Sequence, residues 1–315
     1  MGHTAFLFPG QGSQYVGMGQ DLFEGHAAAR RLIEEADAVL GFPLSERMFG
    51  TGDSDADAEA LKQTDVTQPA LFVHSLAVLA ALREEAEVSF HMVAGHSLGE
   101  YTALAASGAL GFADGLRLVR ERGRLMAEAG TLQPGAMAAI IGMDDADVEA
   151  ACAAVETGIV QPANYNSPGQ IVISGDQAAV DAAMAIASER GARRVIPLPV
   201  SGAFHSPLME HARAGLANAL ESVDLVRPSC PVYLNVTAAP ETDPAAIRSR
   251  LLEQLLSPVK WSQILAAMAA DGADQFVEVG AGKVLSGLVK RTLGRDAETL
   301  AIGTTQDISS YTSDE

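Results

Sequence analysis

Gly95-His96-Ser97-Leu98-Gly99 follows a short apolar run at 91–94 and precedes small, helix-forming residues at 100–106. A GxSxG turn between strand and helix bends so sharply that glycines are needed where a Cβ would collide, and it lifts the serine Oγ clear of the sheet. Backbone N–H groups at the start of the next helix then lack helical partners and are free to hold an oxyanion. These residue types suit covalent catalysis by Ser97.

A serine nucleophile needs a base. Among seven histidines, His205 in Ser201-Gly202-Ala203-Phe204-His205-Ser206-Pro207-Leu208-Met209 has the best setting. Ser206 suits an N-cap and Pro207 a first helical position, which puts the imidazole at the mouth of a helix. The positive helix end disfavours imidazolium and keeps the ring ready to take the serine proton. A histidine that merely lines a loop is the competing reading. The third informative residue is Arg122, which falls in the middle of the apolar stripe Leu118, Val119, Leu125, Met126 and Ala129 of a helix predicted over 114–128. A guanidinium on that face must meet either an internal carboxylate or the anion of a ligand, because burying it unpaired costs several kcal/mol. Arg117, Arg120 and Arg124 fall on other faces and read as solvated surface.

The elements that position these groups alternate between strand and helix. Residues 4–8 form an apolar strand stopped by Pro9-Gly10-Gln11-Gly12-Ser13, a polar helix covers 32–40, and 52–59 reads as an acidic exposed loop. A strongly apolar helix runs from Gln68 to Leu82 and leads into the strand before the elbow. Beyond residue 131 the texture changes. Strands at 136–143, 159–163, 170–175 and 193–198, with helices at 145–155 and 177–191, give a β-α-β-β-α-β series of the ferredoxin-like kind. Strands at 232–236 and 275–279, separated by helices, return to the first texture. The polar residues after 304 read as a flexible tail.

Composition narrows the function classes. With 315 residues, of which 48% are hydrophobic, the chain can build a large core. A net charge of −19 and a pI near 4.7 argue against nucleic-acid or anionic-membrane partners. Cys152 and Cys230 are too few for a disulfide framework and lack metal-ligand spacing, so a cytoplasmic setting and no metal are expected. No run of about 18 consecutive apolar residues suggests a membrane span. Gly280-Ala281-Gly282 lacks the third glycine of a dinucleotide fingerprint, and Gly282-Lys283 lacks the rest of a P-loop. Lys283, Lys290 and Arg291 form a basic cluster that suits an acidic protein partner or a solvated helix face.

The motifs together resemble the malonyl-CoA:acyl carrier protein transacylases, the acyltransferases of fatty acid and polyketide synthesis. The matching pieces are Phe8-Pro9-Gly10-Gln11-Gly12-Ser13-Gln14, Gly95-His96-Ser97-Leu98-Gly99-Glu100, Arg122-Gly123-Arg124-Leu125-Met126, Asn164-Tyr165-Asn166-Ser167-Pro168-Gly169-Gln170, Ala203-Phe204-His205-Ser206-Pro207-Leu208-Met209, Asn235-Val236-Thr237 and Glu253-Gln254-Leu255-Leu256-Ser257-Pro258-Val259-Lys260-Trp261. They occur in family order over nearly the whole chain. The resemblance implies an α/β fold: an α/β-hydrolase-like core with a parallel sheet (1–131 and 200–303), a ferredoxin-like insert (132–199) and a tail (304–315). It implies that Ser97 is acylated by malonyl-CoA, that His205 moves the proton, that Arg122 binds the malonyl carboxylate, and that the N–H groups of Gln11 and Leu98 form the oxyanion hole. It further implies that the Gln254 carbonyl, with Asn235 nearby, orients the histidine, and that Phe204 selects malonyl over larger acyl groups. No tightly bound cofactor is expected, and the acceptor is the phosphopantetheine thiol of an acyl carrier protein. A stand-alone polyketide synthase acyltransferase shares every one of these residues; a serine esterase or thioesterase shares the elbow but gives Arg122 no task.

Overall fold

The computed structural model describes residues 2–200 and 202–313; Ser201, which opens the His205 stretch, and the tail residues Asp314 and Glu315 lie outside the described residues. The strands are β1 (His3–Phe8), β2 (Met92–Gly95), β3 (Ala136–Ile141), β4 (Val160–Ser167), β5 (Gln170–Gly175), β6 (Arg194–Pro197), β7 (Val232–Tyr233), β8 (Pro240–Glu241), β9 (Ala273–Val279) and β10 (Glu298–Ile302). They make two sheets. One has the order β10-β9-β1-β2-β7-β8 and is parallel up to β7, with β8 antiparallel at its edge. The other, β4-β5-β3-β6, is antiparallel throughout.

The parallel sheet is covered on both faces, which is why β1 reads as an unbroken apolar run rather than an alternating one. Phe6 and Phe8 pack into the larger core, while Ala5 and Leu7 face a second cluster around Trp261, Ile264 and Leu265. The helix Thr64–Glu85 is the centre of the larger core. Its length and apolarity would suffice to cross a membrane, yet 83% of its most apolar window is buried inside the protein, so its hydrophobicity is spent on packing.

In the antiparallel sheet the helices Asp145–Ala153 and Gln177–Glu189 cover one face, where Ile140, Ile171 and Ile173 meet Val148, Ala151, Val180 and Ala183. The opposite face turns Met137, Ala139 and Val172 toward the larger core. Two backbone hydrogen bonds fasten β4 to the segment after Gln254: Tyr165 N–H to the Val259 carbonyl at 2.9 Å and Val259 N–H to the Ala163 carbonyl at 2.8 Å.

Two local expectations are corrected. The acidic stretch expected as a loop at 52–59 becomes the helix Ser54–Lys62, because Asp53 caps it by accepting from Ala56 N–H, and the Asp57 carboxylate folds back onto the N–H groups of Thr51 and Gly52. The tail expected to be loose forms the helix Thr305–Ser313: Asp307 accepts from Gly303 and Thr304 N–H, Asp21 accepts from Thr305 N–H, and Ile308 is buried.

Candidate active site

The elbow joins β2 to the helix Gly99–Ala106, and both of its glycines are sterically required. A Cβ on Gly95 would lie 1.8 Å from the Gly99 carbonyl carbon, and one on Gly99 would lie 2.1 Å from the Phe8 carbonyl oxygen. Ser97 itself has φ 51°, a left-handed conformation that costs a non-glycine residue about 1–3 kcal/mol unless its surroundings enforce it. Asn235 does the enforcing: its Oδ1 accepts the Ser97 N–H at 2.8 Å and its Nδ2 donates to the Gly95 carbonyl at 2.7 Å. The resemblance placed Asn235 near the histidine; its side chain grips the serine instead.

His205 is also left-handed, with φ 57°. Ser206 caps the short 3-10 turn Pro207–Met209 by accepting from Leu208 N–H, and this turn runs into the helix Glu210–Glu221. The imidazole Nε2 stands 2.8 Å from Ser97 Oγ, and Nδ1 stands 2.9 Å from the Gln254 main-chain carbonyl. A carbonyl can only accept, so Nδ1 carries the proton and Nε2 presents its lone pair to the serine. Burial, reinforced by the Arg122 charge, pushes the His205 pKa down to about 3, against the opposing pull of the Gln254 carbonyl.

Arg122 lies on the helix Phe112–Leu132 and is 1% exposed. Gly123 beside it allows this helix to press against the start of Thr64–Glu85, where a Cβ would meet the Thr64 carbonyl oxygen at 2.7 Å. The guanidinium donates from Nη1 to Gln68 Oε1 at 2.8 Å and from Nη2 to Gln254 Oε1 at 3.0 Å, with Ser97 Oγ 3.2 Å from Nη2. Its carbon sits 5.3 Å from the centre of the Tyr101 ring. Among the described residues no carboxylate lies within ion-pair distance of it. The internal pair considered from the sequence is therefore not formed within that distance; the fork is held by neutral amides, with the buried Glu100 acid near enough to feel its charge but not paired with it.

One cavity of about 280 Å³ brings these groups together. Gln11, Leu98, Ser97, Arg122, His205 and Phe204 all line it, as do Met126 and the apolar side chains Met137, Ala139 and Val172 of the antiparallel sheet. The N–H groups of Gln11 and Leu98 have no acceptor among the described residues. Four neighbours escaped the sequence reading. Gln68 stood out only as a polar residue opening an apolar helix; His96 Nε2 pairs with Asn166 Oδ1 at 2.8 Å; and Gln161 Nε2 reaches from β4 to the His205 carbonyl at 3.0 Å. Lys283, Lys290 and Arg291 are exposed, and Arg291 donates to Gln170 across the cleft between the sheets.

Residues 5–313 match the family model of the acyl transferase domain. The chain belongs to the acyl transferase family. It is 46% identical to the malonyl CoA-acyl carrier protein transacylase of Bacillus subtilis over 310 residues, covering 98% of this chain and 96% of that one. Its fold matches the acyl-carrier-protein-S-malonyltransferase of Bartonella henselae with a TM-score of 0.93 at 42% identity, over 99% and 98% of the two chains. It equally matches, at TM-score 0.93 and 38% identity over 99% and 100%, a malonyl-transacylase solved in complex with a type II polyketide synthase acyl-carrier protein. These structures share the mixed α/β architecture of a parallel-rich sheet with a separate antiparallel one.

Proposed function

We propose that this acyltransferase moves a malonyl group from malonyl-CoA to the phosphopantetheine thiol of an acyl carrier protein by way of a malonyl-Ser97 ester. The observation that carries the reading is Arg122: a buried guanidinium with no carboxylate in ion-pair contact among the described residues, 3.2 Å from Ser97 Oγ. A malonyl group joins a thioester carbonyl to a carboxylate through one methylene, so an anion held by Arg122 puts that carbonyl within reach of the serine. Ser97 Oγ attacks as its proton passes to His205 Nε2, and the N–H groups of Gln11 and Leu98 receive the developing oxyanion. His205 returns the proton to the departing coenzyme A sulfur; the carrier thiol then repeats the sequence in reverse.

Phe204 lines the same cavity as Arg122, and its bulk favours malonyl over a branched homologue. The antiparallel sheet, taken as an insert over 132–199, supplies an apolar wall for the pantetheine arm, and Arg193, Arg194 and Arg291 line an adjoining cavity that shares Gln170 with the first. These arginines offer phosphate contacts in a chain of net charge −19. The carrier served belongs to fatty acid or to polyketide synthesis, and carrier preference separates the two. No tightly bound cofactor enters this scheme, and a cytoplasmic site of action suits both substrates. Intact-mass measurement after mixing with malonyl-CoA tests the reading: a malonyl adduct discharged by carrier thiol, and lost in Ser97→Ala, is expected. Release of free malonate at the same rate with and without carrier would point to an esterase instead.

A further inference from the structure

Glu100 sits three residues beyond Ser97 and is fully buried. Its Oε2 accepts the Asn235 main-chain N–H at 2.6 Å, while Oε1 has no hydrogen-bond partner among the described residues. An acid in such a place is costly unless one of its contacts is needed. That contact continues directly into the nucleophile, because the residue whose N–H it holds is the one whose Oδ1 grips Ser97 N–H at 2.8 Å. Gln254 closes the arrangement from the other side, its Nε2 donating to the Ser97 carbonyl at 3.0 Å.

We propose that Glu100 is a positioning residue for acyl transfer, acting through Asn235 to keep the Ser97 main chain in its left-handed conformation. The inference rests on Ser97 being the acylated nucleophile. What the chain of contacts needs from Glu100 is one acceptor oxygen at the right reach, and a glutamine supplies the same oxygen. Burial also pushes the Glu100 pKa up to about 8, against the lowering pulls of the Asn235 N–H, Gln254 and Arg122, so the group stands as a neutral acid at pH 7 and an amide is a fair replacement for it. Without the acceptor, the Asn235 N–H is stranded in a dry interior, Asn235 shifts, and Ser97 relaxes away from the 2.8 Å contact with His205.

The test compares Glu100→Gln, Glu100→Met, which keeps the volume without the acceptor, Asn235→Ala, and the Glu100→Met/Asn235→Ala pair. Ser97 acylation is timed by rapid quench and intact mass with malonyl-CoA, and again with an alkyl fluorophosphonate, which requires only a competent nucleophile. Glu100→Met should slow the saturating rate with malonyl-CoA by about 10- to 100-fold and leave the half-saturating concentration within about threefold. Glu100→Gln should stay within about threefold of the parent, and the double variant should be no slower than Asn235→Ala. If Glu100→Met does not fold, Glu100→Asp takes its place, since a carboxyl one methylene short misses the Asn235 N–H and should be equally slow. Glu100→Gln as slow as the Met or Asp variant, a parent-like rate for either of those, or losses that multiply in the double variant would overturn the proposal. A parent protein that takes the phosphonyl but not the malonyl group refutes the substrate reading alone, and the fluorophosphonate series still decides on Glu100.

Discussion

Removing the guanidinium at 122 should change which acyl group is used more than whether acylation occurs. Arg122→Ala deletes the cationic fork while leaving the Ser97–His205 contact of 2.8 Å and the free N–H groups of Gln11 and Leu98 in place. Nη1 and Nη2 already spend one hydrogen each on Gln68 and Gln254, and Nη2 leans on Ser97 Oγ, a contact that an incoming carboxylate would replace. Two charge-assisted hydrogen bonds to that carboxylate, each worth roughly 1.5–3 kcal/mol, less the Ser97 contact given up, leave about 3 kcal/mol. That corresponds to about a 150-fold fall in kcat/KM for malonyl-CoA. Acetyl-CoA has no carboxylate to lose, so its kcat/KM should change by less than about fivefold. The ratio of the two substrates, measured by single-turnover acylation on the same preparation, cancels any general damage to the elbow. A malonyl-to-acetyl ratio equal to that of the parent protein would refute the argument that this charge is held open for the substrate.

Other outcomes follow from the same geometry. With the His205 pKa drawn down to about 3, the base stays neutral through the mildly acidic range, so the acylation rate should hold level from pH 7 to pH 5 and fall only as pH drops toward 3; a tenfold loss by pH 5.5, as an ordinary histidine near 6.5 would give, would contradict it. The Glu100 carboxyl, raised to about 8, contributes stability below its unfolded pKa of 4.5 that is lost as pH rises through 8. Relative to Glu100→Gln, the parent should therefore weaken by about 1.4 kcal/mol per pH unit between pH 4.5 and 8 in chemical denaturation, and a pH-independent difference would count against the burial argument. Gly99→Ala should fail to fold or lose several kcal/mol, since its Cβ would overlap the Phe8 carbonyl; a melting temperature near that of the parent would show that the elbow yields. Gln161→Ala should slow acylation about three- to tenfold without changing the malonyl-to-acetyl ratio, because it frees the His205 carbonyl and not the substrate.

Much of this site could be read from the chain because its parts are short motifs with steric or electrostatic signatures. Gly95 and Gly99 mark the elbow by what cannot fit there, Ser206-Pro207 marks the helix mouth that carries His205, and Arg122 betrays itself as a charge inside an apolar stripe. The β-α-β-β-α-β order is equally legible, since glycine-bearing turns at Gly142, Gly158, Pro168-Gly169, Gly175 and Gly191 separate its apolar runs. What stayed hidden depends on distant pairing. Asn235 holds the serine across 138 residues, Gln68 meets Arg122 only when the helices Thr64–Glu85 and Phe112–Leu132 pack, and His96 and Gln161 acquire their partners only when the two sheets come together. The helices Ser54–Lys62 and Thr305–Ser313 were missed because capping aspartates, rather than hydrophobic period, hold their ends. At β10, a five-residue edge strand, the alternation is too brief to stand out.

The imidazole takes its bearing from a peptide oxygen, and a peptide oxygen has no side chain to replace and no proton to gain. Alanine scanning through residues 250–258 would thus leave the supporting atom intact at every step; even Gln254→Ala would register only the loss of its side-chain contacts to Arg122 and the Ser97 carbonyl. Where a carboxylate partner ties a histidine's alignment to its own ionisation, this one keeps its aim at any acidity the fold survives. Replacing the Leu255 amide nitrogen by an ester oxygen, which weakens the neighbouring Gln254 carbonyl as an acceptor, is the change that reaches it.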